Sequence, residues 1–146
     1  MSKTTAVRNG SKQDRLQIDM TLPARREAVD PAVQEIMAEV RKTNRVTGKE
    51  DDIELALSEA LANAVVHGCQ CDPNKTVECC VICDDKRGLV IVVRDPGTGF
   101  DPALIPVPTD DSNLYSDHGR GVYLMNHLMD EVQYHRNGSE IHLIKR

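Results

Sequence analysis

Apolar and polar residues alternate along residues 16–22, where the sequence reads LQIDMTL. A period of two places successive side chains on opposite faces of an extended chain, so it predicts a half-buried strand. Pro23 ends this strand because proline lacks the N–H group that a sheet requires. Residues 1–15 are polar and show no period. We therefore predict a flexible N-terminal tail over residues 1–15, followed by a single domain over residues 16–146.

Two segments with the spacing of amphipathic helices follow the strand. The first carries apolar residues at the intervals of one helix face, and the pair Asp30-Pro31 is typical of a helix start. Its apolar stripe consists of Val33, Ile36, Met37 and Val40. The second segment begins at the acidic residues 50–52, which the helix dipole favours, and we expect the helix to end at Gly68.

Apolar runs in the second half of the chain predict strands that are joined as two hairpins. These strands are residues 76–83, 89–94, 131–135 and 140–144. The turn pair Asn137-Gly138 closes the second hairpin, and residues 119–129 predict a third helix. The order of the elements predicts an α/β (α+β) two-layer sandwich, in which a mixed, mostly antiparallel sheet carries the helices on one face.

Composition supports one globular domain and argues against several functions. The chain has 146 residues, of which 40% are hydrophobic, and this suffices for one domain with a core. Its net charge of −5 and its aromatic content of 3% argue against binding of nucleic acid through phosphates or base stacking. No apolar run approaches the ~18 residues of a membrane span, and the polar N-terminus lacks a signal-peptide core. We expect a cytoplasmic protein that binds neither nucleic acid nor membrane.

The five cysteines are Cys69, Cys71, Cys79, Cys80 and Cys83. An odd number of cysteines without an export signal favours reduced thiols. Their spacing gives C-x-C and C-C-x-x-C rather than the two C-x-x-C pairs of a typical zinc site. The apolar context favours small buried thiols, and a metal site or a redox sensor is the alternative.

Polar side chains interrupt the small apolar residues of the second predicted helix. Glu59 and Asn63 are four positions apart and therefore share one helix face. An amide oxygen is a ligand for Mg²⁺, and a carboxylate beside it can orient or deprotonate a nucleophile. His67 follows one turn later, in position to touch a phosphate. The alternatives are a solvated polar face and, for His67, a histidine stabilised by the dipole at a helix end.

A glycine-rich turn, DPGTGF over residues 95–100, follows the strand at residues 89–94. Gly97 and Gly99 permit positive φ and a close approach of the backbone to a ligand. The Asp95 carboxylate at the strand end can accept a hydrogen bond from an exocyclic amine. A simple tight turn is the alternative interpretation of this segment.

Two further glycines, Gly119 and Gly121, begin the third predicted helix. Backbone N–H groups and the helix dipole favour a phosphate at such a position. Arg120 between them lies either against that phosphate or in solvent. The preceding residues 101–118 show no period, and a loop of this length is more often functional or mobile than idle.

In chain order, Glu-x-x-x-Asn, Asp-x-Gly-x-Gly and Gly-x-Gly resemble the N, G1 and G2 boxes of the GHKL (Bergerat-fold) ATPase superfamily. That superfamily includes gyrase B, Hsp90, histidine kinases and MutL, and it binds ATP in a helix–sheet pocket under a flexible lid. Residues 101–118 stand where this lid is expected. Three runs also resemble the bacterial anti-sigma-factor serine kinases of the RsbW type. These runs are residues 55–68, 119–125 and 138–145.

The resemblance implies a role for each motif residue. Glu59 is implied to be the general base, or the orienter, for an attacking serine hydroxyl. Asn63 is implied to bind Mg²⁺, and Asp95 the amino group of adenine. Ser139 stands where the family often has a threonine that supports this aspartate. The residues implied to contact the nucleotide are Asn63, His67, Asp95, Gly97, Gly99, Phe100, Gly119, Arg120, Gly121 and Ser139.

The function that the resemblance implies is an ATP- and Mg²⁺-dependent serine/threonine-protein kinase and anti-sigma factor. Its implied substrate is a STAS-type anti-anti-sigma antagonist, phosphorylated on Ser or Thr in a partner-switching circuit, and its other partner is a sigma factor or another regulator. A homodimer through the first strand and helix is also implied. The alternative is a nucleotide-gated protein-binding module without phosphoryl transfer. Glu59 favours the kinase, because a pure switch needs no base.

Overall fold

The computed structural model describes residues 3–7, 16–84, 86–97 and 117–146, with only the backbone described for residues 3–7, 84 and 117–122. Its centre is a six-stranded sheet with the strand order β1-β2-β3-β4-β6-β5. The strands are β1 (Lys3–Val7), β2 (Leu16–Pro23), β3 (Thr76–Asp84), β4 (Gly88–Arg94), β5 (Glu131–His135) and β6 (Glu140–Lys145). All pairs between these described strands are antiparallel. The sequence predicted a mixed sheet in which most pairs are antiparallel.

The helices form the second layer, and the core lies between them and one face of the sheet. The helices are α1 (Val29–Arg41), α2 (Glu50–Asn63) and α3 (Asp117–Leu128), and α2 contacts both of the others. Alternate residues of β2, beginning with Leu16 and Ile18, are buried with the predicted apolar stripe of α1 in one hydrophobic cluster. The predicted two-layer sandwich is confirmed. No helix in the described ranges is long and apolar enough to cross a membrane.

The first strand is a difference from the sequence prediction. We expected no regular element in residues 1–15, but Lys3–Val7 pairs along β2 from Lys3↔Thr21 to Val7↔Gln17. A strand at the edge of a sheet is held by backbone hydrogen bonds to its neighbour, so it needs no alternation of its own. The segment contains β-branched residues, which suit an extended chain.

The second helix changes its geometry where the candidate residues lie. The α-helical part of α2 ends at Asn63, and Ala64–Gly68 continue it as one π-helical turn. Accordingly, the Cys69 N–H donates to the carbonyl of Ala64 at 2.9 Å. This bond joins residues five positions apart, whereas an α-helical bond joins residues four positions apart. The sequence predicted the end at Gly68 but not the wider turn, because side-chain spacing does not distinguish one π turn from an α turn.

We expect Leu57→Ala to lower the free energy of unfolding by about 2–5 kcal/mol, the usual cost of truncating a buried leucine. Leu57 is 0% exposed on α2, at the centre of the helical layer. Leu55→Ala is the control on the same helix, because Leu55 is 44% exposed and surface substitutions usually change stability by less than about 0.5 kcal/mol. Urea unfolding midpoints at an unchanged m value measure both changes. Equal losses in the two variants would contradict the burial pattern.

Candidate functional site

A cavity of about 220 Å³ lies between the C-terminal end of α2, the adjoining ends of β4 and β6, and α3. Its apolar wall is formed by Ala60, Ala64, Val93, Met125 and Ile141. Its polar side chains are Asn63, His67, Gln70, Lys75, Asp95 and Ser139. Apolar walls with a few polar groups are typical of small-molecule sites. Four residues predicted to contact a ligand through their side chains therefore meet here, although they come from three separate parts of the sequence.

Asp95 follows β4 directly and is held at the cavity by its backbone. Its N–H donates to the carbonyl of Ser139 at 2.9 Å, and its Oδ1 accepts the N–H of Gly97 at 2.8 Å. Partial burial raises the pKa of the Asp95 carboxyl, while the Gly97 N–H and the positive charges of Arg136 and Lys75 oppose that rise. The Gly97 N–H therefore holds Oδ1 in place.

Two glycines lie against this carboxylate, and we call Gly68 and Gly97 the glycine pair. A Cβ on Gly68 would come within 2.3 Å of Asp95 Cγ, and a Cβ on Gly97 within 2.3 Å of the Gly68 carbonyl oxygen. Both distances are far below van der Waals contact, so a side chain at position 68 would collide with the Asp95 carboxyl group and one at position 97 with the backbone of Gly68. Gly97 was predicted as a site residue, whereas Gly68 was predicted only as a helix end.

The π turn brings the end of α2 to the cavity. Asn63 immediately precedes the turn, His67 lies within it, and both line the cavity. The N–H of Cys71 donates to the carbonyl of Val65 at 2.9 Å, which ties the following loop to the same turn. π-helical turns within α-helices are frequent at functional sites, where they turn side chains toward a ligand.

Glu59 opens onto a different cavity. It is not among the described residues that line the first one. It lines a second cavity of about 360 Å³ together with Arg26 and Asp30. Asn63 and His67 line both cavities. Glu59 and Asn63 therefore share the second cavity, as their four-residue spacing predicts, but only Asn63 also reaches the first.

Ser139 is buried beside Asp95, and its contact with that residue runs through the backbone. The Ser139 carbonyl accepts the Asp95 N–H, whereas the hydroxyl Oγ donates to the carbonyl of Arg136 at 2.8 Å. The resemblance implied support of Asp95 at this position. In the structure the main chain supplies that support, because the hydroxyl proton is used within the 3-10 turn Arg136–Gly138.

Gln70 and Lys75 line the cavity without having been predicted as site residues. They belong to the loop after the π turn, in which Gln70 and Cys71 both have positive φ, 53° and 55°. Two successive non-glycine residues in the left-handed region are uncommon and costly. The sequence offers no glycine or asparagine there that would have signalled this conformation.

Several predicted residues can be located only in part. Gly99, Phe100 and nearly all of the predicted lid lie outside the described residues. Gly119, Arg120 and Gly121 lie near the N-terminal end of α3, which begins at Asp117, two residues before the predicted start. The roles of these residues toward a nucleotide stay predictions.

The cysteines occupy different environments. Cys79 and Cys83 are buried on the core face of β3, Cys69 is buried near the cavity and Cys71 is exposed. Burial raises the pKa of Cys79 to about 12 and, with the nearby Asp19, that of Cys80 to about 11. Thiols with raised pKa values remain protonated at neutral pH and react slowly. In the part of the chain that the structure describes, no three His, Cys, Asp or Glu side chains are grouped to hold a metal ion.

Comparison with known proteins gives an independent line of information. The sequence matches the family described as the histidine kinase-like ATPase domain over residues 22–145. It is 34% identical over 122 residues to an anti-sigma F factor from Geobacillus stearothermophilus, covering 81% of this chain and 82% of that protein. It is also 32% identical over 122 residues to the serine-protein kinase RsbW from Bacillus subtilis (strain 168), covering 80% of this chain and 76% of that protein.

Proposed function

This chain belongs to the histidine kinase-like ATPase domain family, and from this premise we propose that it is an ATP-dependent serine/threonine-protein kinase and anti-sigma factor. We propose further that it requires Mg²⁺ and that its substrate is a STAS-type anti-anti-sigma protein. The relatives named as anti-sigma F factor and serine-protein kinase support the general activity. The observation that carries the proposal for this chain is the Asp95 carboxylate at the end of an apolar cavity.

The cavity suits a purine base better than a whole nucleotide. Its volume of about 220 Å³ is below the roughly 300–1,000 Å³ of sites that enclose an entire drug-sized ligand. Val93 and Ile141 come from the sheet and Met125 comes from α3, so apolar groups from both layers can cover the faces of a flat ring. Asp95 Oδ2 is then an acceptor for one N–H at the ring edge. Adenine, which carries an exocyclic amine, satisfies these requirements.

Asn63 and His67 are the residues we assign to the phosphate end. They line the same cavity as Asp95 but lie on α2 and its π turn. The Asn63 amide oxygen is a suitable ligand for Mg²⁺, which takes oxygen donors and usually retains several waters. His67 is a donor for a phosphate oxygen. The N-terminal end of α3 contributes backbone N–H groups and a favourable dipole.

Glu59 is the residue we assign to the acceptor hydroxyl. Bound ATP supplies the phosphoryl group and an ADP leaving group. The chain must align the attacking hydroxyl and take its proton. Glu59 faces the second cavity, which shares Asn63 and His67 with the first. A serine or threonine hydroxyl in this second cavity would give its proton to the Glu59 carboxylate as its oxygen bonds to the γ-phosphorus beside Asn63 and His67 and ADP leaves.

Phosphate transfer to a STAS-domain anti-anti-sigma protein tests the proposed function directly. We expect a phosphorylated serine or threonine in that protein after incubation with this chain, ATP and Mg²⁺, detected by mass spectrometry. Binding of ATP without transfer would favour the nucleotide-gated binding module instead. Absence of ATP binding would overturn both. The proposed partners also include a sigma factor and a second copy of this chain. Sedimentation velocity measures whether the chain forms a homodimer and whether it binds a sigma factor.

We expect Asn63→Ala to remove the Mg²⁺-dependent part of ATP binding and to leave the fold intact. Loss of even an outer-shell partner costs a metal site about 10- to 100-fold in affinity, so loss of a direct ligand should cost at least that much. Calorimetric titration of ATP with and without Mg²⁺ measures the difference. Asn74→Ala is the control, because Asn74 is an exposed asparagine outside the cavity. An unchanged Mg²⁺ effect in Asn63→Ala would remove Asn63 as the ligand.

A further inference from the structure

Gly68 occupies a position where the space, and not the backbone conformation, requires glycine. Its φ is outside the left-handed region, so an alanine backbone would be unstrained there. A Cβ would nevertheless lie 2.3 Å from Cγ, 2.4 Å from Oδ2 and 2.6 Å from Oδ1 of Asp95. The Asp95 carboxyl group therefore occupies the space that a side chain at position 68 would take. The role of a helix stop does not explain this contact, because a glycine that ends a helix does so through a positive φ, which Gly68 lacks.

The opposite side of the carboxylate is fixed by the second member of the glycine pair. The Gly97 N–H donates to Asp95 Oδ1 at 2.8 Å. A Cβ on Gly97 would lie 2.3 Å from the Gly68 carbonyl oxygen and 2.8 Å from Asp95 Oδ1. The π turn at the end of α2 and the turn after β4 thus meet backbone to backbone, with the carboxylate held between them.

We propose that Gly68 is a positioning residue, which holds the Asp95 carboxylate in the orientation that selects the base of the bound nucleotide. The base-selecting part of this proposal rests on the proposed function, whereas the holding of the carboxylate does not. The Gly97 N–H holds Oδ1, and Gly68 lies against one side of the carboxyl group. Oδ2 is therefore kept in one orientation, toward the cavity. A methyl group at position 68 forces the carboxyl group to rotate away or separates the two turns, and either change moves Oδ2.

The first test uses Gly68→Ala without any nucleotide. Burial raises the pKa of the Asp95 carboxyl in the wild type, and we expect it to fall toward the ordinary value of 3.8 when the group is displaced toward water. Titration of the Asp95 side-chain carbon by NMR follows this change. The charges of Arg136 and Lys75, which also act on Asp95, are the same in both proteins. An unchanged pKa would overturn the proposal.

The second test measures base selectivity. We expect Gly68→Ala to bind ATP about 10- to 100-fold more weakly, equivalent to losing a hydrogen bond to a charged group, while GTP binding changes little. In an Asp95→Ala background, which removes the three atoms that the new methyl group meets, the same substitution is expected to change ATP affinity by less than about two-fold. Equal losses of ATP and GTP, or equal losses in both backgrounds, would contradict a role through Asp95.

Gly48→Ala is the matched control. Gly48 has a φ of +87°, and no atom lies within 4 Å of the place that a Cβ would take, so alanine there strains the backbone without touching the site. It should lower stability while leaving ATP affinity and the Asp95 pKa unchanged. If Gly68→Ala does not fold, the double variant with Asp95→Ala should fold again, and its failure would overturn the proposal. If the wild type binds no ATP but Gly68→Ala still lowers the Asp95 pKa, the proposed function fails and the holding role stands.

Discussion

Asp95→Asn is expected to weaken ATP binding by about 10- to 100-fold and to reduce the preference for ATP over GTP. The reason is the direction of the hydrogen bonds at the two terminal atoms. The Gly97 N–H needs an acceptor at Oδ1, and the asparagine carbonyl oxygen fills that position. The amide nitrogen then replaces Oδ2 and directs N–H groups at the amino group of adenine, so that two donors face each other. The carbonyl oxygen of guanine accepts from the same nitrogen.

The same substitution should not destabilise the protein without nucleotide. The folded-state pKa of Asp95 is raised, mainly by burial, so folding disfavours its ionised form. A raised carboxyl pKa costs stability in full at pH values above the folded pKa, and the cost is lost as the pH falls from the folded pKa to below the unfolded pKa. The cost therefore applies at neutral pH, where Asp95→Asn removes it. Thermal unfolding at neutral pH should give a midpoint equal to or above that of the wild type.

Calorimetric titration of ATP and GTP into both proteins decides the role of Asp95. Asp72→Asn is a suitable control, because Asp72 lies in the neighbouring loop and does not line the cavity. A parallel loss of ATP and GTP in Asp95→Asn would exclude recognition of the base at this position. Lost ATP binding together with a lower unfolding midpoint would indicate a structural role instead.

Glu59→Gln is expected to bind ATP as the wild type does and to transfer phosphate about 10²- to 10⁴-fold more slowly, the usual contribution of a positioned general base. Glutamine keeps the size of the side chain but cannot take a proton at neutral pH. ATP binding should survive because Glu59 opens onto the second cavity and not onto the one that contains Asp95. The measurement is the rate at which phosphate is incorporated into the STAS-type substrate at saturating ATP.

Glu54→Gln provides the control on the same helix. Glu54 pairs with Arg41 at 3.0 Å on the protein surface, and exposed pairs of this kind contribute little to stability. The transfer rate of Glu54→Gln should therefore equal that of the wild type. Full activity of Glu59→Gln would remove Glu59 as the base. A loss of ATP affinity that matches the loss of rate would make it a binding residue instead.

Side-chain patterns predicted those parts of the fold in which one face of an element is buried. The alternation in β2 and the stripe in α1 are examples, since each pattern states which side meets the core. β1 was not predicted, because an edge strand is held by backbone hydrogen bonds to its neighbour and these require no periodic pattern in its sequence. The π turn at Ala64–Gly68 also leaves none, because it shifts the backbone bonding by one residue within an otherwise helical sequence.

The candidate site was predictable in its residue types and not in its contacts. Asn63 and Asp95 carried a chemical signal, an amide on a small-residue helix face and a carboxylate at a strand end, and both line the cavity. The contact between Gly68 and Asp95 depends on how closely two distant segments approach, which spacing within either segment does not reveal. The exclusion of Glu59 from the first cavity has the same origin, because helix periodicity gives a face but not the neighbour beyond it.

Asn63 and His67 stand one helical turn apart at the end of α2 and line both cavities. A ligand on one side that shifts this turn alters the shape offered on the other side. Thermodynamic linkage makes the effect reciprocal: the factor by which a nucleotide changes the affinity for a protein on the Glu59 side equals the factor by which that protein changes the affinity for the nucleotide. Binding of the nucleotide and binding of a protein on the Glu59 side would then be two coupled equilibria.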